Sequence, residues 1–284
     1  MADTLYLKDN LSGTVPVEIA KEIIKNIRDQ ASMLNICKLE NMTSDTKDLP
    51  YLTDSGAASW VNEGDSIGTT IPTFSYPQLI AKKLAVIIPV TNEKNNDSVA
   101  NVMEELKQAI ADAFANATDS AMIFGTNSPF TTNLITAIGT QKVVATSSLD
   151  TDISNAMALV EGNKLVCSNM LMGNTQKKTL RALSNSASYK GAITLTSAYE
   201  TPIEFVRNFD DTKALAITGD FSKAIIGTRE GIAYEILKEA TIGTGETAIN
   251  LAQRDMIAIK ATMRLGFVVA EPKAFSMVVA AATP

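Results

Sequence analysis

The chain has 284 residues, 45 % of them hydrophobic, with 25 basic and 31 acidic side chains and a net charge of −6. This affords a full core, argues against wholesale disorder, and gives no electrostatic drive toward nucleic acid. Histidine is absent altogether, which excludes the commonest general base, the usual zinc ligand and the Ser-His and Cys-His nucleophile pairs. No apolar run reaches the 18 residues of a membrane span, and MADTLYLKDN lacks the blocks of a signal peptide. With only Cys37 and Cys167, two reduced thiols of cytosolic origin are expected.

Residues 1–15 show little periodicity and read as an extended arm. Pro16 suits the first turn of a helix, and Ile19, Ile23, Ile24, Ile27, Ala31 and Leu34 then form an apolar stripe opposite Lys21, Glu22, Lys25 and Arg28. Such a helix needs a surface to lie on. Residues 41–78 are rich in Gly, Ser, Thr, Asp and Pro, with Trp60, Val61, Ile67, Ile71 and Phe74 spread thinly among them. That is too little for a separate core, and the segment reads as a long two-stranded hairpin lying on something else. Leu84, Val86, Ile88 and Val90 alternate in a strand expected to be buried on both faces toward its end, with Pro89 hinting at a sheet edge.

From Asp97 to Gly125 the positions Val102, Leu106, Ile110, Ala113, Phe114, Ala117 and Ala121 fall on one helical face. Asp97 or Ser98 can cap its start and Gly125 its end. At 1.5 Å per residue about 25 residues span roughly 38 Å, the length of a strut. Residues 134–250 mix short elements: a helix Thr151–Glu161 capped by Thr151 or Asp152, a strand at 165–169, a helix over 175–185 with Leu180 and Leu183 inward, and a strand at 214–218. The alternation suggests an inserted α/β subdomain. In 256–269, Ile257, Ile259, Ala261, Met263, Leu265 and Phe267 alternate with Ala258, Lys260, Thr262, Arg264 and Gly266, the period of a one-sided strand. A last strand follows Pro272, and both C-terminal strands are expected to pair with 79–90 beside the long helix.

Catalytic constellations are scarce. There is no Walker, HExxH, GxSxG or CxxC pattern. Gly243-Thr244-Gly245 lacks the third glycine of a nucleotide loop. Glu104-Glu105 read as a solvated face, Asp210-Asp211 as turn chemistry, and Lys82-Lys83 as a basic pair without a nucleic-acid patch. The residues alone describe a non-catalytic, acidic α+β protein. Its arm, hairpin and strut all seek partners outside the subunit.

Four blocks in order then carry a resemblance. They are VPVEIAKEIIKNIRDQASMLNI (15–36); ASWVNEGDSI (58–67) with FSYPQLIAKKLAVIIPVTNE (74–93); the helix ending in DSAMIFG (119–125); and GDFSKAIIGTREGI (219–232) with the strand closing on AEPKAF (270–275). The chain resembles the major capsid proteins of tailed bacteriophages, whose fold is shared with encapsulin shells. The resemblance implies an α+β fold with an N-terminal arm (1–48), an extended β-hairpin loop (49–80), a peripheral domain with a long spine helix (81–133 and 250–284) and an axial α/β domain (134–249). It implies hexamers and pentamers of an icosahedral shell around double-stranded DNA, in the virion after assembly in the bacterial cytoplasm. The partners it implies are other copies of the chain, a separate scaffolding protein, a portal, and DNA held weakly and non-specifically. No cofactor, metal, membrane or catalytic residue is expected. Trp60, Val61, Glu63, Ile67, Phe74, Ile23 and Ile27 are the expected inter-subunit contacts, because apolar loop and arm surface gains burial only against a neighbour.

One departure matters. Some family members weld subunits through a Lys–Asn isopeptide bond with the lysine in the extended loop. Residues 49–80 contain no lysine, since Lys47 and Lys82 only flank them, so no cross-link is expected. The competing readings are an encapsulin compartment, a carboxylate enzyme using Glu63, Asp65 or Glu204, and another phage part such as a tail tube.

Overall fold

The computed structural model describes residues 31–54, 56–64, 66–91, 99–146, 148–185, 192–243 and 248–281, with the backbone alone for 54 and 99–107. In chain order α1 (Ser32–Ile36) leads to β1 (Lys38–Asn41), β2 (Thr46–Asp48), β3 (Tyr51–Asp54), β4 (Thr73–Ser75), β5 (Gln78–Ile80) and β6 (Lys82–Thr91). The long helix α2 (Val99–Asp119) runs into a π-helical turn, Ser120–Phe124. Then come α3 (Leu134–Ile138), β7 (Lys142–Val144), α4 (Leu149–Glu161), β8 (Asn169–Gly173) and α5 (Lys177–Ser184). The chain closes with β9 (Ser197–Ala198), β10 (Thr201–Val206), β11 (Ala216–Gly219), β12 (Ala224–Leu237), β13 (Thr241–Ile242), β14 (Ile249–Asn250), β15 (Met256–Val269) and β16 (Phe275–Val279).

Two main sheets organise the body. One has the order β1-β12-β15-β6, the other β7-β16-β11-β8-β10-β9. In the first, β12 and β15 form a long antiparallel pair and β6 adds antiparallel to β15 as an edge, where Pro89 costs no ladder bond to a further strand. The period of two expected for β15 is seen in its burial from Ile259 onward: Ile259, Ala261, Met263, Leu265 and Phe267 are buried, while Lys260, Thr262 and Arg264 are only half-buried. At its start Ala258 is buried and Ile257 half-buried, the reverse of the expectation. Past Leu265 both faces are covered.

Several expectations need correction. The last strand does not join β6. It pairs with β11 and β7 in the second sheet, so only β15 of the two C-terminal strands sits beside β6. Conversely β12, from the middle of the chain, belongs to the first sheet. The strand β6 is not buried on both faces: its burial alternates, and Ile87 is 41 % exposed, because an edge strand is covered on one side only. Residues 165–168 are not strand; β8 starts at Asn169. Helix α4 begins after Ser148, not at Thr151, and Asp152 turns back instead, accepting from Thr146 N and Oγ1 at 2.8 Å each.

The long helix buries Ile110, Ala111, Phe114, Ala115, Thr118 and Asp119, whereas Ala113 and Ala117 are exposed. The inward face is therefore turned from the one expected, since alanine is small enough to sit on either side of a helix boundary. The side chains of Val102 and Leu106, and the candidate caps Asp97 and Ser98, lie outside the described residues. Gly125 closes the π turn at φ 68°, and a Cβ there would meet the Asn133 side chain. The main core gathers Phe114, Met122, Ile123, Phe221, Phe267 and Phe275 between the long helix and both sheets. A second cluster, with Ile153, Met170, Leu180 and Val278, seats α4 and α5 on the second sheet. Both thiols are free, Cys37 being buried.

Candidate inter-subunit surface

The segment 46–80 leaves the body as a ribbon of two strands. At its root Thr46, Lys47 and Asp48 pair with Ile80, Leu79 and Gln78. Further out Tyr51 and Leu52 pair with Ser75 and Phe74, and Asp54 with Thr73 after a register shift. The root is anchored by a small cluster of its own: Leu79 and Met42 pack on Ile225 and Val268 of the first sheet. Gly227 makes room for it, because a Cβ there would run into the Met42 thioether, and at Gly266 a Cβ would crowd the Ile80 carbonyl.

Charge reinforces the anchor. The Asp45 carboxylate takes both Arg229 and Arg264, and Arg264 Nε also lies 3.5 Å from Glu230. Lys47 Nζ donates to Glu40 Oε1 at 2.6 Å and to the Asn41 carbonyl at 3.0 Å. The Lys47 hydrogen bond and charge hold the Glu40 carboxyl below its ordinary range. Gln78 Nε2 donates to Asp48 Oδ1 at 2.9 Å.

Beyond the anchor Lys223 Nζ lies 5.4 Å from the Tyr51 ring centre, and the described residues further out are largely exposed. Residues 57–72 have no regular strand or helix among the described positions. Gly56 and Gly64 take φ of 80° and 91°, the left-handed region where glycine alone is unstrained. Thr70 Oγ1 donates to the Ala57 carbonyl at 3.0 Å and gathers the two sides. Trp60 is fully exposed, and Ile67, Ile71 and Tyr76 are 78 %, 84 % and 66 % exposed. Leu52, Val61 and Phe74 are about half exposed, and Glu63 is exposed as well.

Trp60, Val61, Glu63, Ile67 and Phe74 thus share one projecting ribbon. Ile23 and Ile27 lie outside the described residues. Sequence reasoning passed over Leu52 and Tyr76 as contacts. The register supplies the missing signal, since Leu52 stands opposite Phe74 as a cross-strand apolar pair.

Solvent exposure of this kind calls for explanation. Single exposed apolar residues are ordinary, but a contiguous apolar patch marks an interaction site. At about 25 cal/mol per Å2, covering a few hundred Å2 contributes on the order of 5–10 kcal/mol before ordering costs.

Catalytic alternatives find no comparable geometry. Glu63 stands on the ribbon, Glu204 is half-buried on β10, and Asp65 lies outside the described residues. Asp210 behaves as a turn residue, accepting from Thr212 N at 3.1 Å and Thr212 Oγ1 at 2.5 Å. Among the described residues no cluster of three Cys, Asp or Glu could hold a metal ion, and no helix is long and apolar enough to cross a membrane.

A model of the phage capsid family matches residues 12–280. The major capsid protein of Staphylococcus phage 80alpha is 30 % identical over 288 residues, covering 98 % of this chain and 89 % of that protein. The probable major capsid protein gp17 of Mycobacterium phage L5 is 26 % identical over 246 residues, covering 77 % and 74 %. Among solved structures, a chain of Microbacterium phage Oxtober96 matches with a TM-score of 0.75 at 24 % identity, over 89 % of this chain and 91 % of that one. The capsid of an empty GTA particle, computed with C5 symmetry, matches with a TM-score of 0.63 at 18 % identity, over 89 % and 90 %. With a family match over nearly its whole length, a relative at this identity and a fold with an uncovered apolar ribbon, the chain belongs to the phage capsid family and is a major capsid protein of the tailed-phage kind.

Proposed function

We propose that this protein builds an icosahedral phage head by laying its ribbon over neighbouring copies, first in hexamers and pentamers and then in a closed wall. The observation that carries the reading is Trp60, a large apolar side chain left fully in solvent at the end of a well-anchored ribbon. A surface on one copy that fits a different surface on the next makes a ring when the rotation closes. A capsid with the same fold, that of the empty GTA particle, was computed with C5 symmetry, which is in keeping with such a ring. Trp60, Val61, Glu63, Ile67 and Phe74 are the proposed contacts on the ribbon, and Ile23 and Ile27 those on the arm.

The parts follow the expected division into arm (1–48), extended loop (49–80), peripheral domain (81–133 and 250–284) and axial domain (134–249). The first sheet with the long helix supports the peripheral domain and the second sheet the axial one. The strands β12 and β16 each cross to the sheet of the other segment. The role is structural rather than enzymatic, which the naming of the relatives as capsid proteins supports. The same naming favours a DNA-filled head over an encapsulin compartment. A scaffolding protein and a portal are the proposed partners in assembly, with the host cytoplasm as its place. Net negative charge supports only loose contact with packaged duplex, which therefore slides.

Electron microscopy of the expressed full-length chain is the direct test. Closed shells or five- and six-membered rings are expected. Tubes, or shells filled with a protein cargo, would overturn the reading.

A further inference from the structure

The arm meets the body at a corner lined by acids. Asp119 ends the long helix and is only 5 % exposed. Its two oxygens accept from the backbone N–H groups of Ser32 at 3.0 Å and Met33 at 3.1 Å. These are the first amides of α1, which its own N-cap residue, Ala31, leaves without a side-chain partner. A carboxylate from a distant helix therefore caps the arm. Ser32, itself buried, reaches a second acid: its Oγ donates to Glu204 Oε1 on β10 at 3.4 Å.

The surrounding charges are few. On the long helix, Asp112 is engaged two turns back by Arg207 Nη1 at 3.0 Å. On the arm side Cys37 is a buried thiol, and burial first, then the Asp119 charge, push it well above its usual range. On β10 the facing group is Glu204. Among the described residues no ion pair with a lysine or arginine reaches Asp119 or Glu204; Lys25 and Arg28, which precede the corner in the chain, lie outside them.

We propose that this corner is a proton-dependent clasp: docking the arm on the end of the long helix takes up a proton, so the arm is held most firmly on the acid side of neutrality and more loosely above it. A buried carboxylate, Asp119, and a half-buried one, Glu204, holding one serine cannot both be charged without loss of hydration and mutual repulsion. A protonated Asp119 still accepts a backbone N–H through one oxygen and has no quarrel with Glu204. In keeping with this, burial pushes Asp119 up to about 7, the two N–H donors offsetting it only in part and the Glu204 charge adding to it. Glu204 is likewise raised by burial.

The sign follows from linkage. Undocked and in water, Asp119 returns to its ordinary value of 3.8. Between that value and about 7 the docked state binds more protons, so rising pH weakens docking, about tenfold per pH unit, and the loss is complete above the docked value. The clasp sits one residue before the π turn Ser120–Phe124, whose last four side chains are buried. The hold on the arm is thereby tied to the joint between the long helix and the core. It is a property of one subunit and does not rest on the shell reading.

Hydrogen exchange by mass spectrometry on the full-length chain tests it, following the amides of 32–37 from pH 5 to pH 7.5. Rates are corrected for intrinsic exchange and referred to the buried strand β11. Protection of 32–37 is expected to fall about 50-fold from pH 5 to pH 7 and to level off above pH 7. In Asp119→Asn, which keeps an acceptor but cannot ionise, it stays level over the same range. In Glu204→Gln the levelling moves to lower pH. A wild-type profile that is flat or rises with pH, or one that Asp119→Asn reproduces, would overturn the clasp. Should Asp119→Asn fail to fold, the wild-type slope and its shift in Glu204→Gln decide the matter in the same way. Particles are not needed for the readout, so a failure of assembly in micrographs leaves it separately decidable.

Discussion

Phe114 and Trp60 are both large aromatic side chains, and their surroundings give them opposite roles. Phe114 is 1 % exposed in the main core. Phe114→Ala is expected to cost the subunit about 3–5 kcal/mol, read as a lower midpoint in urea unfolding. Trp60 touches water on every side, so Trp60→Ala should change subunit stability by less than about 0.5 kcal/mol yet abolish or sharply reduce particle yield in sedimentation. Gly219 shows a third constraint, since a Cβ there would strike the Ala274 carbonyl and the Phe275 ring. At this scale the sequence was readable where side chains are large: Ile110, Phe114 and Leu180 are buried as their spacing implied. It misled at Ala113 and Ala117, because a methyl group carries too little transfer free energy to mark a face. The acid clasp was invisible, since Ser32, Asp119 and Glu204 meet only after the chain has folded.

Among the elements, the ribbon is the one whose removal separates folding from assembly. Its root has its own apolar anchor in Leu79, Met42, Ile225 and Val268, so the body does not depend on the tip. Replacing 57–71 by a short Gly-Ser turn is expected to leave the far-UV circular dichroism and thermal midpoint of the subunit nearly unchanged while no shells form. Residues 49–80, the ribbon beyond Lys47, also lack the lysine an isopeptide weld would need. Purified particles should therefore run as a single monomer band in denaturing electrophoresis; a ladder of covalent multimers would refute that. Element existence was legible wherever one face is wet and the other dry, as in β15. Partners were not legible, because period two says which side of a strand is buried and nothing about which strand lies next to it. Hence β16 was expected beside β6 and instead completes the second sheet between β7 and β11. The strand β6 looked doubly buried from composition alone, but its place at an edge leaves Ile87 half in water.

For the whole molecule, the subunit is complete in its two sheets and incomplete at its ribbon. That asymmetry is what a wall made of one repeated part requires: a rigid body to set the angle, and an apolar extension with nowhere to go but the next copy. Because Trp60 is the chain's single tryptophan, its fluorescence reports the extension without interference. Acrylamide quenching of unassembled subunits and of purified shells, compared at equal protein concentration, reads the central claim directly. The indole should be freely quenched with red-shifted emission in the subunit, then shielded and blue-shifted in the shell. Equal accessibility in both states, or an indole already shielded in the isolated subunit, would contradict it.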